Sequence, residues 1–337
     1  MEIVMLTGAY NNAGDHLHRF ASMQVVQRWA NKNGINETHI VEIDRKNCRQ
    51  PEVEVTLNKA DLILIPGGPT LRPNLIPEIV DLPKKFFWKT AIFGGGIKHT
   101  GNSNWSKNSL DFFKQSLPCA VRDPQSLDAL PSDAKKCAWL TGCPVSSAVF
   151  STIPSQFSAI NIAVSDGQRY AHNRTSEFIS DYVSTHLESA LLVEHSVLSG
   201  DSIKEGIQIG ADLDKMISVY ANAKRHVGFR LHAHLLRLSL NLPSLLLIED
   251  ARGLSVSEFV GGNSINLVPH IKFGKYLQYI SPQLHRIYCK FIGKKVLKTI
   301  RNSAELSATY DKRAFQERWV DYLEMLHQEV KNRASNN

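Results

Sequence analysis

The sequence predicts an α/β protein made of two doubly wound parallel-sheet domains. Three observations carry this. Strand-like apolar runs alternate with helical patterns along almost the whole chain. The alternation restarts after a Ser- and Pro-containing stretch at 146–158. Glycines and charged residues collect where the strands end, which is where open α/β sheets bind ligands. The 337 residues suffice for two domains with separate cores. The expected division is 1–150, then 151–305 including a basic segment, then 306–337, a helix packing across the domains.

In the first half, strands are expected at Glu2–Thr7, His39–Ile43, Asp61–Ile65, Thr90–Phe93, Cys119–Val121 and Lys136–Leu140. Helices are expected at His16–Asn33 and Ser106–Ser116, with another opened by Pro124, which suits a first helical turn. In the second half the strands are Ala159–Val164, Leu191–Val197, the run ending at Arg230, and Pro243–Asp250. The helices are Thr175–Ser189, Ala211–Ala221 and the run from Leu231. Asp311–Lys331 is a helix with Phe315, Trp319, Tyr322, Leu323, Leu326 and Val330 on one face.

Hydrophobic residues make up 43% and charged residues 21%, a composition that fits a soluble globular protein. No apolar run approaches the roughly 20 residues that span a bilayer, and the first residues enter a strand pattern with no leader-like basic region. Cys48, Cys119, Cys137, Cys143 and Cys289 are scattered and include no Cys-x-x-Cys pair, which fits free thiols in the cytoplasm and argues against zinc. Asp212-Leu213-Asp214 has the form of a metal-binding Asp-x-Asp, but the helical run around it favours an exposed helix start. No metal and no cofactor are expected.

The candidate site residues follow strand ends. Asn12, Gly14 and Asp15 follow the first strand, Gly67 and Gly68 the third, and Gly94-Gly95-Gly96 and His99 the fourth. Arg122 follows the next, and Arg230, Leu231, His232 and Asp250 belong to the second half. A cleft between the two halves would gather them. Glycine-rich turns let backbone N–H groups approach an anion closely, although such turns are also ordinary. Arg230 and His232 beside a helix start form a ready anion site. The helix end offers unpaired N–H groups, Arg a rigid fork, and His a proton near neutral pH. No dinucleotide or phosphate-loop glycine pattern is present.

These residues resemble the polysaccharide pyruvyl transferases. The similarity rests on Asn12-Ala13-Gly14-Asp15, Pro66-Gly67-Gly68, Arg122-Asp123 with Ser126, and Gly142-Cys143-Pro144. Above all it rests on Gly228-Phe229-Arg230-Leu231-His232 with Pro243 and Asp250. It covers roughly residues 1–268. It departs at Pro69, where a third glycine is common, and in the basic segment. The resemblance implies a GT-B-like pair of Rossmann-like domains. It also implies transfer of the enolpyruvyl unit of phosphoenolpyruvate to a sugar, closing a pyruvate ketal in polysaccharide synthesis. By motif, Arg122, Arg230, the Leu231 backbone and His232 hold the donor. His99 or His232 is the expected acid. Asp15 either orients an acceptor hydroxyl or caps its helix. The acceptor is expected to be a nucleotide- or lipid-linked glycan.

Phe259–Ala304 contains no Asp or Glu and eight Lys or Arg, more than the net charge of +7. From Ser281 to Asn302, apolar and basic residues interleave as on an amphipathic helix. Its surface at 272–301 either rests on an anionic membrane or is a packed helix with a solvated basic face. No nucleic-acid motif accompanies the charge. A GT-B glycosyltransferase using a nucleotide sugar, and a non-catalytic glycan-binding relative, remain alternative readings.

Overall fold

A computed structural model describes residues 1–8, 12–35, 37–67, 71, 82–97, 105–150, 153, 160–167, 174–195, 206–302 and 310–335. The chain divides into two compact units. The first contains Met1–Ala9, His18–Ala148 and Asp311–Asn337, and the second Tyr10–Leu17 and Val149–Tyr310.

The first unit is built on β1 (Glu2–Thr7), α1 (Ala13–Lys32, whose start is grouped with the second unit), β2 (His39–Asp44), α2 (Pro51–Lys59), β3 (Leu62–Pro66) and β4 (Thr90–Phe93). The four strands form one parallel sheet in the order β2-β1-β3-β4. Successive side chains of a strand point to opposite faces, and here both faces are covered. Val4 and Leu6 join Ile63, Ile65, Phe87 and Phe112 on one side. Ile3 and Met5 join Leu62, Leu64, Val25 and Trp29 on the other. That explains why β3 reads Leu-Ile-Leu-Ile-Pro without alternation: every residue in it is buried. The unit continues through α3 (Lys107–Gln115), β5 (Ala120–Val121), α4 (Pro124–Asp128), α5 (Ser132–Cys137) and β6 (Trp139–Leu140), with β5 and β6 paired in parallel. The strand expected over Lys136–Leu140 is therefore shorter. Its first residues close α5, a polar turn of helix that follows Pro131.

The second unit contains β7 (Ile160–Ser165), α6 (Thr175–His186), β8 (Ala190–Glu194), β9 (Ile207–Gln208), α7 (Leu213–Asn222), β10 (Ala223–Gly228), α8 (Leu231–Ser239), β11 (Ser244–Ile248), α9 (Ala251–Val260) and β12 (Asn263–Asn266). These strands form a six-stranded parallel sheet, ordered β12-β11-β10-β7-β8-β9. Strand order reverses between β7 and β10, so the crevice at their carboxyl ends is the natural ligand position of this sheet. Then come α10 (Val268–Ile280) and α11 (Pro282–Asn302). The second of these packs Cys289, Ile292, Val296 and Ile300 against Val164, Phe229 and Leu247.

The last helix, α12 (Lys312–Ser335), is grouped with the first unit, and all six residues of its apolar face are buried. Trp319 packs on Phe93 with ring centroids 4.3 Å apart, and the Tyr322 hydroxyl donates to the Pro118 carbonyl at 2.7 Å.

Candidate functional site

In the second unit the site is built where β7 and β10 end side by side. Gly228 closes β10 with φ +155°, and a Cβ there would meet Ser165 Oγ at 2.2 Å. Only glycine lets the two strand ends run this close. The chain then turns into Arg230, whose backbone N–H donates to Ser165 Oγ at 3.2 Å. Its guanidinium makes a two-pronged pair with Asp166, Nε to Oδ1 at 2.7 Å and Nη2 to Oδ2 at 2.8 Å. Burial by itself would lower the Arg230 pKa, but the Asp166 carboxylate reverses this and the net shift is upward. The guanidinium is thus charged and held in one orientation, as bidentate pairs do.

Leu231 and His232 are the first two residues of α8, and its N-cap residue, Arg230, makes no side-chain capping bond among the described residues. Its N-terminal N–H groups and dipole favour an anion. His232 is packed against the start of α1: a Cβ on Gly14 would come within 2.7 Å of His232 Nδ1. Asn12 shapes that start, its Oδ1 accepting the Gly14 N–H at 2.8 Å. The cap is therefore Asn12. Asp15 sits one residue beyond Gly14, in the first turn, with its N–H donating to the Asn12 carbonyl at 3.0 Å. The Ala13 N–H donates to the Gly210 carbonyl at 2.9 Å.

Beneath Arg230 lies a buried polar layer. Ser165 hydrogen-bonds His226 at 3.0 Å; Ser244 bonds both His226 and His234 at 2.8 Å; His195 bonds the Tyr220 hydroxyl at 2.6 Å. Burial pushes His195 down to about 3, with the Arg230 charge adding to the effect. Burial likewise pushes His234 down to about 4 and His226 well below its ordinary value. These rings are neutral and structural at physiological pH. Arg237, fully buried in the same helix, donates to the carbonyls of Tyr220, Ala223, Lys224 and Pro243 and ties three segments together.

In the first unit a separate cluster follows β4, β5 and β6. Arg122 ends β5 and is only 4% exposed. Its Nε donates to Asp123 Oδ2 at 3.0 Å, while its Nη2 is buried with no hydrogen-bond partner among the described residues. The guanidinium lies over Gly96, where a Cβ would fall 2.2 Å from Arg122 Nε. Asp123 also caps α4 by accepting from Ser126 N at 2.8 Å, and Ser126 Oγ accepts from Ile97 N at 3.0 Å. Gly67 abuts the Gly95 backbone, with a would-be Cβ 2.7 Å from Gly95 Cα. Cys143 is buried and its thiol is pushed up to about 11, so it is a packed residue and no nucleophile.

The second unit thus brings Asn12, Gly14, Asp15, Arg230, Leu231 and His232 together with Ser165 and Asp166. The first groups Gly67, Gly95 and Arg122. Asp250 is engaged elsewhere: its Oδ1 caps α9 by accepting from Arg252 and Gly253 N–H, and its Oδ2 pairs with the Arg252 side chain. His99 and Gly68 lie outside the described residues. The sequence reading missed Asp166. The signal was present, since Ser165-Asp166-Gly167 is a polar pair plus glycine at a strand end, the same pattern that marked the other loops. Asp212, in the Asp-x-Asp string, caps α7, accepting from Lys215 N at 2.8 Å. Among the described residues no group of His, Cys, Asp and Glu is arranged to hold a metal.

Comparison with known proteins gives three results. The profile of the polysaccharide pyruvyl transferase family matches residues 12–250, which spans most of this geometry. No curated protein matches the sequence. Among solved structures, the chain is similar to the UDP-GlcNAc 2-epimerase of Methanocaldococcus jannaschii (TM-score 0.56, 10% identity, covering 97% of this chain and 99% of that one). It is also similar to MnaA of S. aureus, solved with UDP (TM-score 0.54, 12% identity, 96% and 95% covered). A third is HepE of Anabaena, solved with UDP and glucose (TM-score 0.50, 10% identity, 100% of both chains covered). At such identities the likeness is one of fold, and it makes the fold α/β and GT-B-like, with two Rossmann-like parallel-sheet units and a C-terminal helix.

Proposed function

The chain belongs to the polysaccharide pyruvyl transferase family, and on that premise we propose that it moves the pyruvyl unit of phosphoenolpyruvate onto two hydroxyls of a sugar in a surface or exopolysaccharide precursor. The observation that carries the donor assignment is Arg122. A buried guanidinium nitrogen without a partner is costly, and a bound anion relieves that cost. Arg230, fixed by Asp166 beside the start of α8, supplies a second such feature in its own unit. A small trianion with a carboxylate and a phosphate suits groups of this kind.

The chemistry balances without a cofactor. One sugar hydroxyl adds to C2 of phosphoenolpyruvate as a proton is delivered to its methylene carbon. The C2–O bond to phosphate breaks, and the second hydroxyl closes the ketal on C2. Of the two hydroxyl protons displaced, one replaces the proton spent on the methyl group and the other leaves with phosphate. In this reading His232 delivers the proton as the general acid. Gly14 packs against its ring, Asn12 caps the helix start that carries Gly14, and Asp15, in the first turn of α1, is the group proposed to orient an acceptor hydroxyl. His99 remains the other candidate acid. The sugar is presented on a nucleotide or a lipid carrier. That two fold neighbours were solved with UDP keeps nucleotide-sugar glycosyl transfer as the competing reading.

The test is reaction in D2O with phosphoenolpyruvate and nucleotide- or lipid-linked glycans. Acceptor-dependent phosphate release, with one deuterium in the ketal methyl group, is the expected result. Release of UDP from a nucleotide sugar, with phosphoenolpyruvate unchanged, would contradict it.

A further inference from the structure

Helices α10 and α11 carry an exposed surface that the fold does not use. Of the ten large hydrophobic residues exposed among the described residues, seven lie between Phe273 and Phe291. They are not scattered. Phe273, Tyr276 and Ile280 recur at i, i+3 and i+7 on α10, and Leu284, Ile287 and Phe291 do so on α11. That spacing puts each set on one side of its helix. The opposite side of α11 is already occupied, because Cys289, Ile292, Val296 and Ile300 are buried in the core of the second unit. The helix meets α6 so closely that a Cβ on Gly293 would fall 2.4 Å from Tyr182. Folding therefore accounts for one side of α11 and leaves the other unexplained. The two helices also act as one surface, with Phe273 of α10 meeting Tyr288 of α11 edge-on at 5.1 Å.

The charges on this surface are all of one sign. Lys272, Lys275, Lys290, Lys294, Lys295 and Lys298 are exposed on the same pair of helices, and no Asp or Glu occurs from Phe259 to Ala304. Lys295 sits over the Phe291 ring at 4.6 Å, so cation and apolar group share one patch. We propose that the α10–α11 face is a docking surface for an anionic lipid bilayer, with its aromatic and aliphatic residues entering the headgroup region and its lysines meeting the lipid phosphates. Aliphatic Ile280, Leu284 and Ile287 have no task against a phosphate polymer, whereas they do against acyl chains. A second copy of this chain would oppose basic surface to basic surface, which like-charge repulsion disfavours. The contact is peripheral, since no helix among the described residues is long and apolar enough to cross a membrane. The surface stands on these observations alone. Where the pyruvyl-transfer reading also holds, it places the enzyme where a lipid-linked acceptor is found.

Vesicle flotation of the full chain tests this without substrate. Phosphatidylcholine vesicles are compared with vesicles that also contain phosphatidylglycerol. The chain should float with the anionic vesicles and be released by salt. A Lys290→Gln, Lys294→Gln, Lys298→Gln variant should partition about 100-fold more weakly, each charge near an anionic surface being worth about fivefold. An Ile287→Ser, Phe291→Ser variant should also lose flotation. All five positions are exposed, and unchanged circular dichroism would confirm that the variants fold. No flotation of the wild type, equal flotation with both vesicle types, or flotation that survives both variants would overturn the proposal. So would a lipid-free dimer, seen by light scattering, that the Ile287→Ser, Phe291→Ser variant dissociates.

Discussion

At the scale of single residues, the account turns on side chains held in place by backbone that has no room for anything else. His232 is the clearest case. Its ring lies against Gly14, and the smallest possible side chain there would sit 2.7 Å from Nδ1. Gly14→Ala should therefore displace the ring while leaving the rest of the helix start intact. Steady-state kinetics should show kcat reduced roughly 10- to 100-fold, the usual cost of misplacing a reacting group by a fraction of an ångström to an ångström, with donor binding nearly unchanged. Unaltered kcat would remove His232 from the chemistry. The sequence announced both residues, because glycine, arginine and histidine at strand ends are unusual enough to notice. Asp166 also stands in such a run, Ser165-Asp166-Gly167 at a strand end, but the run does not name its partner, and only the β7–β10 pairing brings it to Arg230.

At the scale of elements, the strands and long helices were legible because both sheets are parallel and buried on both faces. Such strands appear as short, unbroken apolar runs, as in Leu62–Pro66 and Ser244–Ile248. What was not legible depends on partners remote in sequence. The amphipathic reading of Ser281–Asn302 was sound as periodicity. It did not reveal that Ile292 and Ile300 face the core while Leu284, Ile287 and Phe291 face outward. The polar layer under β10 was likewise invisible: His195 and His226 carried no local signal, yet with His234 they form a buried hydrogen-bonded set. That layer makes a pH prediction. Burial holds all three histidines below the ordinary histidine value of 6.5, His195 at about 3 and His234 at about 4. The unfolded chain thus binds protons first as pH falls. Their contribution is intact above about pH 6.5 and is lost on acidification toward those folded values. His195 and His234 should each remove up to about 2 kcal/mol by pH 5, and His226 acts in the same direction. Urea unfolding of the full chain at pH 7.5 and pH 5 measures this. A midpoint unchanged between the two would show that the rings are not buried and neutral.

At the scale of the whole molecule, the chain belongs to the polysaccharide pyruvyl transferase family, and each of the two units holds candidate groups for the proposed reaction. The two compact units change over at Ala148 and Val149, close to where strand–helix alternation restarts, a place that was legible in the sequence. The grouping of Tyr10–Leu17 with the second unit was not, because nothing in a continuous helix pattern records where its first turn packs. The family profile ends at residue 250, so the basic α10–α11 surface lies beyond it and is a property of this chain to be tested by itself. The central claim is the proposal that Arg122 and Arg230 each serve an anionic three-carbon donor. Isothermal calorimetry of phosphoenolpyruvate with the wild type, Arg122→Ala and Arg230→Ala tests it most directly. The account predicts binding by the wild type that weakens by at least about 100-fold in Arg122→Ala, as expected when one partner of a buried charge-assisted contact is removed, and a comparable loss in Arg230→Ala. Wild-type binding that survives both substitutions, or a wild type that binds UDP-sugars and not phosphoenolpyruvate, would contradict it.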